Sequence, residues 1–387
     1  MAIVPKVQKL SPLLKYPGGK DKELGYILPN LPSNANNYYE PFVGGGAVYF
    51  SITANHYFIN DKSFELMELY NMVKAQNSDF LSCLKQIEHN WQLISKIVFN
   101  HSQEITDLYL AYKNGIFDKH RLSDETSAFV LHNADEFNGL LSTNFNVGIH
   151  NFVNELIKSF NNKIIRMVDI EGKKNSLSQE DFIHNIECAF KSAFYMHFRY
   201  LYNNAKEFKI SKSFFTAIYF YIREYCYSSM FRYNSIGHFN VPYGGISYNK
   251  KSLLKKIDYF SDKDLLAHLQ KTKMSCMDFE DFIKLYPPHS DDFMFLDPPY
   301  DSEFSTYANN PFGKHDQERL ALYLKNECNC YFMLIIKKTD YILGLYRDGE
   351  DTTSGRKIRI KQFDKKYFVS FQNRNNKDAE HLIITNY

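Results

Sequence analysis

The sequence predicts an α/β fold in which an open, largely buried sheet is interrupted by a long, mainly helical insert. Three observations carry that expectation. A strand pattern at Tyr38-Tyr39-Glu40 runs through Pro41-Phe42-Val43 into Gly44-Gly45-Gly46 and an amphipathic stretch, the order of a strand, a nucleotide-type loop and a helix. An apolar run of strand length, Phe293-Met294-Phe295-Leu296, stops at Asp297-Pro298-Pro299-Tyr300, so a buried strand delivers a stiff loop at its end. Between the two, helical periodicity appears in Phe80-Leu81-Cys83-Leu84-Ile87 and again from Leu93 to Phe99.

With 387 residues, 44% hydrophobic and 16% aromatic, the chain can bury a large core and has room for two domains. No run approaches the ~18 apolar residues of a membrane span, and Met1-Ala2-Ile3-Val4-Pro5-Lys6 lacks the basic-then-apolar pattern of a secretory signal. A cytoplasmic protein with no membrane partner is expected. Cysteines at 83, 188, 226, 276, 328 and 330 include no Cys-x-x-Cys, so reduced thiols and no metal site are expected.

In chain order, the first motif is Leu14-Lys15-Tyr16-Pro17-Gly18-Gly19-Lys20. Pro-Gly-Gly makes a turn with exposed backbone amides, and Lys20 opens a predicted helix; an anionic group can rest there, or the segment is a plain surface turn. In the glycine loop, a dinucleotide fingerprint counted from Gly44 and Gly46 puts Tyr49 at the third glycine position, which disfavours that class of cofactor. The next strand, Tyr57-Phe58-Ile59-Asn60, ends at Asp61, placed either to accept from ribose hydroxyls or to cap a helix over 63–75.

Polar stretches at 133–146 and 172–179 read as loops within the insert. Charge is uneven there. Residues 76–190 hold 10 basic and 15 acidic side chains, whereas residues 191–256 hold 11 and 2. Such a basic block, interleaved with Phe194, Tyr195, Phe198, Tyr200, Phe208, Phe214 and Phe215, fits a phosphate-contacting face or a solvated helix face over an aromatic core. It leads into Phe231-Arg232-Tyr233-Asn234-Ser235-Ile236-Gly237-His238-Phe239-Asn240-Val241-Pro242-Tyr243, two short alternating runs about a glycine that predict a hairpin.

The sheet resumes with a strand over 272–277 ending at Asp278-Phe279, where the carboxylate can accept from an exocyclic amine or cap the following helix. A polar loop with Phe304, Tyr307 and Phe312 follows Tyr300, and another strand spans 331–336. Alternation in 356–363, 367–371 and 381–386 predicts antiparallel strands that close the sheet, with 8 basic and 3 acidic residues over 356–387.

The chemistry of the 297–300 loop suits an amine substrate. The lone pair of adenine's exocyclic amine is delocalised into the ring, so a catalyst must hold both amino hydrogens and aim the lone pair. The Asp297 carboxylate can take one hydrogen; the Pro298 carbonyl, its direction biased by the following Pro299, can take the other; Tyr300 can stack on the base. Asp-Pro-Pro-Tyr after an apolar strand resembles the catalytic motif of the DNA adenine-N6 methyltransferases, and the rest of the chain resembles their Dam-like, D12-class alpha group. Glu40-Pro41-Phe42-x-Gly44-x-Gly46 is similar to that family's cofactor loop, and Arg232-Tyr233-Asn234 with Gly237-x-Phe239-Asn240-Val241-Pro242-Tyr243 to its DNA-contacting hairpin, with Tyr243 where Phe is usual. The order of cofactor loop, recognition insert and catalytic loop matches as well.

The resemblance implies a Rossmann-like S-adenosylmethionine-dependent methyltransferase sheet with an inserted, mainly helical target-recognition domain. Residues 1–75 and 246–387 would be the cofactor and catalytic halves, and 76–245 the insert. It implies S-adenosylmethionine held by Tyr16, Lys20, Glu40, Pro41, Phe42, Gly44, Gly46, Asp61, Asp278, Phe279 and Asp297. It implies catalysis by Asp297, Pro298, Pro299 and Tyr300, and double-stranded DNA contacted by Arg232, Tyr233, Asn234, Asn240 and Pro242. A cognate restriction endonuclease acting on the same site is one implied partner; an enzyme acting alone in epigenetic marking is the alternative. Lys337-Lys338-Thr339-Asp340 replaces the small Ser-Asn pair of many relatives, and residues 80–210 lie outside the motifs that carry the resemblance. An RNA adenine methyltransferase, a protein-glutamine methyltransferase and a DNA-binding module without catalysis are the competing functions.

Overall fold

The computed structural model describes residues 3–6, 9–141, 145–173, 177–299, 312–366 and 378–387. The chain forms two compact units, one of Met1–Lys74 with Asp262–Tyr387 and one of Ala75–Ser261.

The first unit is built on a seven-stranded sheet. Its strands are β1 (Tyr38–Glu40), β2 (Tyr57–Asn60), β3 (Thr272–Ser275), β4 (Phe293–Leu296), β5 (Tyr331–Lys337), β6 (Arg359–Lys366) and β7 (Asp378–Thr385). Spatially they run β3-β2-β1-β4-β5-β7-β6. The first five are parallel, with Tyr38 opposite both Tyr57 and Phe293, and Phe293 opposite Tyr331. β7 is antiparallel to β5 and to β6. Every side chain of β4 is buried, which is what a central parallel strand covered on both faces requires and why its sequence is a continuous apolar run.

Two helices after strands matter for the site, α1 (Phe64–Lys74) and α9 (Phe279–Leu285), together with α10 (Lys314–Asn326). The strand order reverses at β1, which pairs with β2 on one side and β4 on the other, and ligands of open α/β sheets sit outside the strand carboxyl ends at such a switch point. Glu40, Asp61, Asp278 and Asp297 all lie at or just beyond those ends.

The second unit is helical, with α2 (Ser78–Asn100), α3 (Ser102–Lys113), α4 (Lys119–His132), α5 (Ala134–Gly139), α6 (Ile149–Glu171), α7 (Gln179–Asn203) and α8 (Lys212–Tyr225). Side-chain caps start four of them: Asn77 accepts from Phe80 N, Asp118 from Arg121 N, Ser178 from Asp181 N and Ser211 from Phe214 N. The helix α5 lies in a stretch the sequence predicts as loop. Phe137 is its only large apolar residue, and the ring packs on Phe129 and Phe190, so tertiary burial decides a segment with little propensity of its own.

The basic block of 191–256 serves the inside of this unit more than its charge suggests. Phe194, Tyr195, Phe198 and Phe214 are buried core. Lys191 is buried against Glu187 and the Asn249 carbonyl, Arg223 is buried and donates to the Met230 carbonyl, and Lys251 pairs with Glu224. Lys206, Lys209, Lys212, Arg232, Lys250 and Lys255 remain on the surface.

No helix among the described residues is long and apolar enough to cross a membrane. The six cysteines are free thiols, five of them buried, and no cluster of metal-ligating side chains occurs among the described residues.

Candidate active site

The 297–299 loop is held from both sides. Lys20, almost fully buried, forms an ion pair with Asp297 Oδ2 and also donates to the Gly18 carbonyl at 3.0 Å. The turn at 17–19 thus brings a cation to the end of β4. On the other side, Gln317 Nε2 donates to the Pro299 carbonyl at 3.0 Å. Pro298 is buried between these anchors, and among the described residues its carbonyl accepts no hydrogen bond. Tyr300, Phe304 and Tyr307 lie outside the described residues.

Glu40 ends β1 as a buried carboxyl accepting from Tyr38 OH at 2.7 Å. Burial pushes it well above the ordinary carboxylate range; Tyr38 and Lys20 counter that push, and the nearby Asp297 adds to it. The glycine loop follows. Gly46 has φ +72°, and a Cβ there would lie 2.6 Å from Tyr70 Oη; one on Gly45 would lie 3.0 Å from Tyr16 Cβ. Glycine is needed because Tyr16 and Tyr70 close on the loop.

Asp61 ties that loop to β2. Its Oδ2 accepts from Gly44 N at 3.0 Å and its Oδ1 from Ser63 N at 2.9 Å. Desolvation raises its carboxyl and the two backbone donors lower it, with desolvation prevailing. It does not cap α1; the Ser63 hydroxyl does, accepting from Leu66 N at 3.4 Å.

Asp278 has both roles the sequence left open within reach. It caps α9 by accepting from Glu280 N at 3.1 Å, and its carboxylate pairs with Lys62 at 3.0 Å and Arg319 at 2.7 Å. Desolvation raises its carboxyl, but the donors from Lys62 and Arg319 outweigh it and the net direction is down. Phe42, Phe279 and Phe312 gather in one aromatic group, with ring centroids 5.3 to 6.1 Å apart.

Three residues essential to this arrangement escape a reading by motif. Asn60 is buried and bonds the Pro41 carbonyl and both the N–H and carbonyl of Met277, fixing the ends of β1 and β3 to β2. Arg319 engages Asp278, Glu280 and Asp316 with its three nitrogens while lying over the Phe279 ring. Gln317 is the third. For Asn60 and Gln317 the sequence signal is a polar residue where the apolar period calls for a core side chain; Arg319, off the buried face of its helix, has none.

The hairpin of the second unit is a separate group of residues. A bridge joins Tyr233 to Phe239, and Asn240 N donates to the Arg232 carbonyl. Asn234 builds the turn: its Oδ1 accepts from Ile236 N and His238 N. Arg232 Nε donates to Asn240 Oδ1 at 3.0 Å, so these two candidates are bonded to each other. Tyr233 meets Tyr202 through their hydroxyls at 3.2 Å, and Arg232, Asn234 and Pro242 are exposed. Asn203 receives the Phe239 N–H and donates to its carbonyl, standing in for a neighbouring strand. Beside the hairpin, Ser228 and Ser229 hold φ +52° and +51°, a strained pair for non-glycine residues, flanked by exposed Tyr227 and Met230.

The sequence profile of the D12 class N6 adenine-specific DNA methyltransferases matches residues 16–163 and 143–361. The chain belongs to that family. The Type II methyltransferase M.CviBI of Paramecium bursaria Chlorella virus NC1A is 34% identical over 176 residues, 44% of this chain and 60% of its own. The retron Ec67 DNA adenine methylase of Escherichia coli is 31% identical over 38% of this chain and 51% of its own. The Type II methyltransferase M.MjaIII of Methanocaldococcus jannaschii is 27% identical over 82% of this chain and 80% of its own. The chain thus spans about half to three fifths of the first two relatives and most of the third.

Proposed function

We propose that the protein transfers a methyl group from S-adenosylmethionine to the N6 amine of adenine at a specific site in duplex DNA. The observation that carries the reading is the end of β4, where the Asp297 carboxylate and the carbonyl of buried Pro298, unbonded among the described residues, are neighbours between two fixed anchors. Two acceptors so placed can take both hydrogens of one amino group and leave its lone pair directed outward.

The donor set fits the cofactor. Asp61 and Asp278 supply carboxylate oxygens for ribose hydroxyls and a base amine, the Phe42, Phe279 and Phe312 rings supply apolar faces for a purine, and the Tyr16-covered glycine loop lets backbone approach a ligand. When bound, S-adenosylmethionine supplies a methyl made electrophilic by its sulfonium charge. Lys20, Glu40, Pro41, Gly44 and Gly46 complete the surround. Asp297 and Pro298 orient the amine, and Tyr300 stacks on the base. Most of the acceleration comes from holding amine and methyl in line.

The target base must leave the duplex, at a few kcal/mol that pocket stacking and hydrogen bonds offset. Arg232, Tyr233, Asn234, Asn240 and Pro242 mark the hairpin face offered to DNA, with exposed Tyr227, Met230 and Ile236 as apolar tips able to enter an opened base step. Relatives named Type II methyltransferases support pairing with a restriction endonuclease of the same site.

The test is incubation of purified protein with labelled S-adenosylmethionine and unmethylated genomic DNA, followed by single-molecule mapping of modified adenines, with RNA and peptide acceptors in parallel. N6-methyladenine at one short sequence is expected. Label in RNA or peptide, with none in DNA, refutes the assignment.

A further inference from the structure

The Asp297-Pro298-Pro299 segment has a physical handicap. Neither proline has an N–H, so the loop cannot be fixed by its own backbone donors and depends on groups that reach its oxygens. Among the described residues two do so, Lys20 at the Asp297 carboxylate and Gln317 at the Pro299 carbonyl. Gln317 comes from the first turns of α10, where its side chain is fully buried in the same helix as the core residues Leu320, Ala321 and Leu324.

Packing does not account for an amide there. Gln317 Oε1 is buried with no hydrogen-bond partner among the described residues, and such an oxygen costs about 1–3 kcal/mol. An apolar side chain of the same length would avoid that cost. The amide orientation is also set, because turning it would press oxygen against the Pro299 carbonyl oxygen. What the amide contributes, and an apolar residue cannot, is the donor to Pro299.

We infer that Gln317 is a positioning residue for methyl transfer: by holding the Pro299 carbonyl it sets the direction of the neighbouring Pro298 carbonyl that receives the amine. The inference rests on the proposed function of the same site. Gln317 itself touches neither substrate nor cofactor.

The experiment uses the full chain with Q317M and Q317E. Methionine keeps the volume and removes the donor. The expected result for Q317M is an unchanged Tm and unchanged KM for the methyl donor with kcat lower by roughly tenfold, the worth of one such hydrogen bond. A wild-type kcat in folded Q317M overturns the inference. Glutamate donates to Pro299 only when protonated, so the Q317E rate relative to wild type should rise as pH falls; a ratio independent of pH also overturns it, and this measurement decides if Q317M does not fold. A crystal structure of either variant separates this inference from the functional one. An unmoved Pro299 carbonyl defeats the anchor whatever the wild type methylates, and a wild type inactive on DNA defeats the function alone.

Discussion

The catalytic loop and the hairpin are both short turns rich in polar groups, yet they are stabilised in opposite ways. At 297–299 the anchors come from outside the loop, Lys20 and Gln317, and buried Pro298 has a carbonyl that accepts no hydrogen bond among the described residues. At 231–240 the tip of the turn is built by its own members, Asn234 and the Arg232–Asn240 pair, with Asn203 holding Phe239 at its base, while the side chains at the tip are exposed. The difference suits the tasks proposed for them. Chemistry requires acceptors whose direction is fixed before the substrate arrives, whereas reading a base edge requires donors that can exchange an internal partner for an external one.

The largest expected effect tests the first half of this comparison. Asp297→Ala should lower methyl transfer by at least 10²-fold, on the scale of removing a preorganised electrostatic group, with DNA affinity in a filter-binding assay retained; full activity would refute its role. The hairpin is next. Arg232→Ala should cost about 1–3 kcal/mol in binding to the cognate site and relax selectivity at one base pair, measured by competition between cognate and single-mismatch duplexes. Equal loss on every sequence would make Arg232 a phosphate contact instead. Asn234→Ala removes two bonds inside the turn and should weaken DNA binding about tenfold or less while leaving turnover at saturating DNA near wild type.

The smallest effect concerns acid. Asp278 and Glu280 are both held below their ordinary values: in Asp278 the donors from Lys62 and Arg319 overcome desolvation, and in Glu280 the Arg319 bond is the leading cause. A carboxyl depressed in the folded state contributes stability above its unfolded pKa of about 4 and loses it as pH falls through the folded value. Arg319→Ala should therefore lower Tm at neutral pH and flatten the fall of Tm below about pH 4. Both groups are partly exposed, so the change is modest; parallel curves for variant and wild type would count against the coupling.

Much of this was legible in the residues because some physical requirements leave a local mark. A strand buried on both faces reads as an unbroken apolar run, as in 293–296, and a loop approached by rings reads as consecutive glycines, as in 44–46. Asp278 could be placed near a strand end, although the strand stops at Ser275, and of its two readings the helix cap is the one observed. Asn60, Gln317 and Arg319 left no such mark, because each acts on a segment separated from it in sequence and its own neighbourhood looks like an ordinary strand or helix. The basic block misled in part for the same reason: charge can be counted along a chain, but whether Lys191 or Arg223 faces inward depends on the fold.

The insertion of one compact unit within the other has a consequence in time. The sheet's first strand pairs with β4, which begins about 250 residues later, and at about 5–20 residues per second that is tens of seconds of synthesis. During that interval Ala75–Ser261, continuous in sequence, can complete its own folding, while the aromatic edge of Tyr38-Tyr39-Glu40 waits without its partner on one side. The nascent chain therefore emerges with its helical unit finished and its sheet half made, and the yield of folded protein should depend on translation rate and on chaperones that shield that edge.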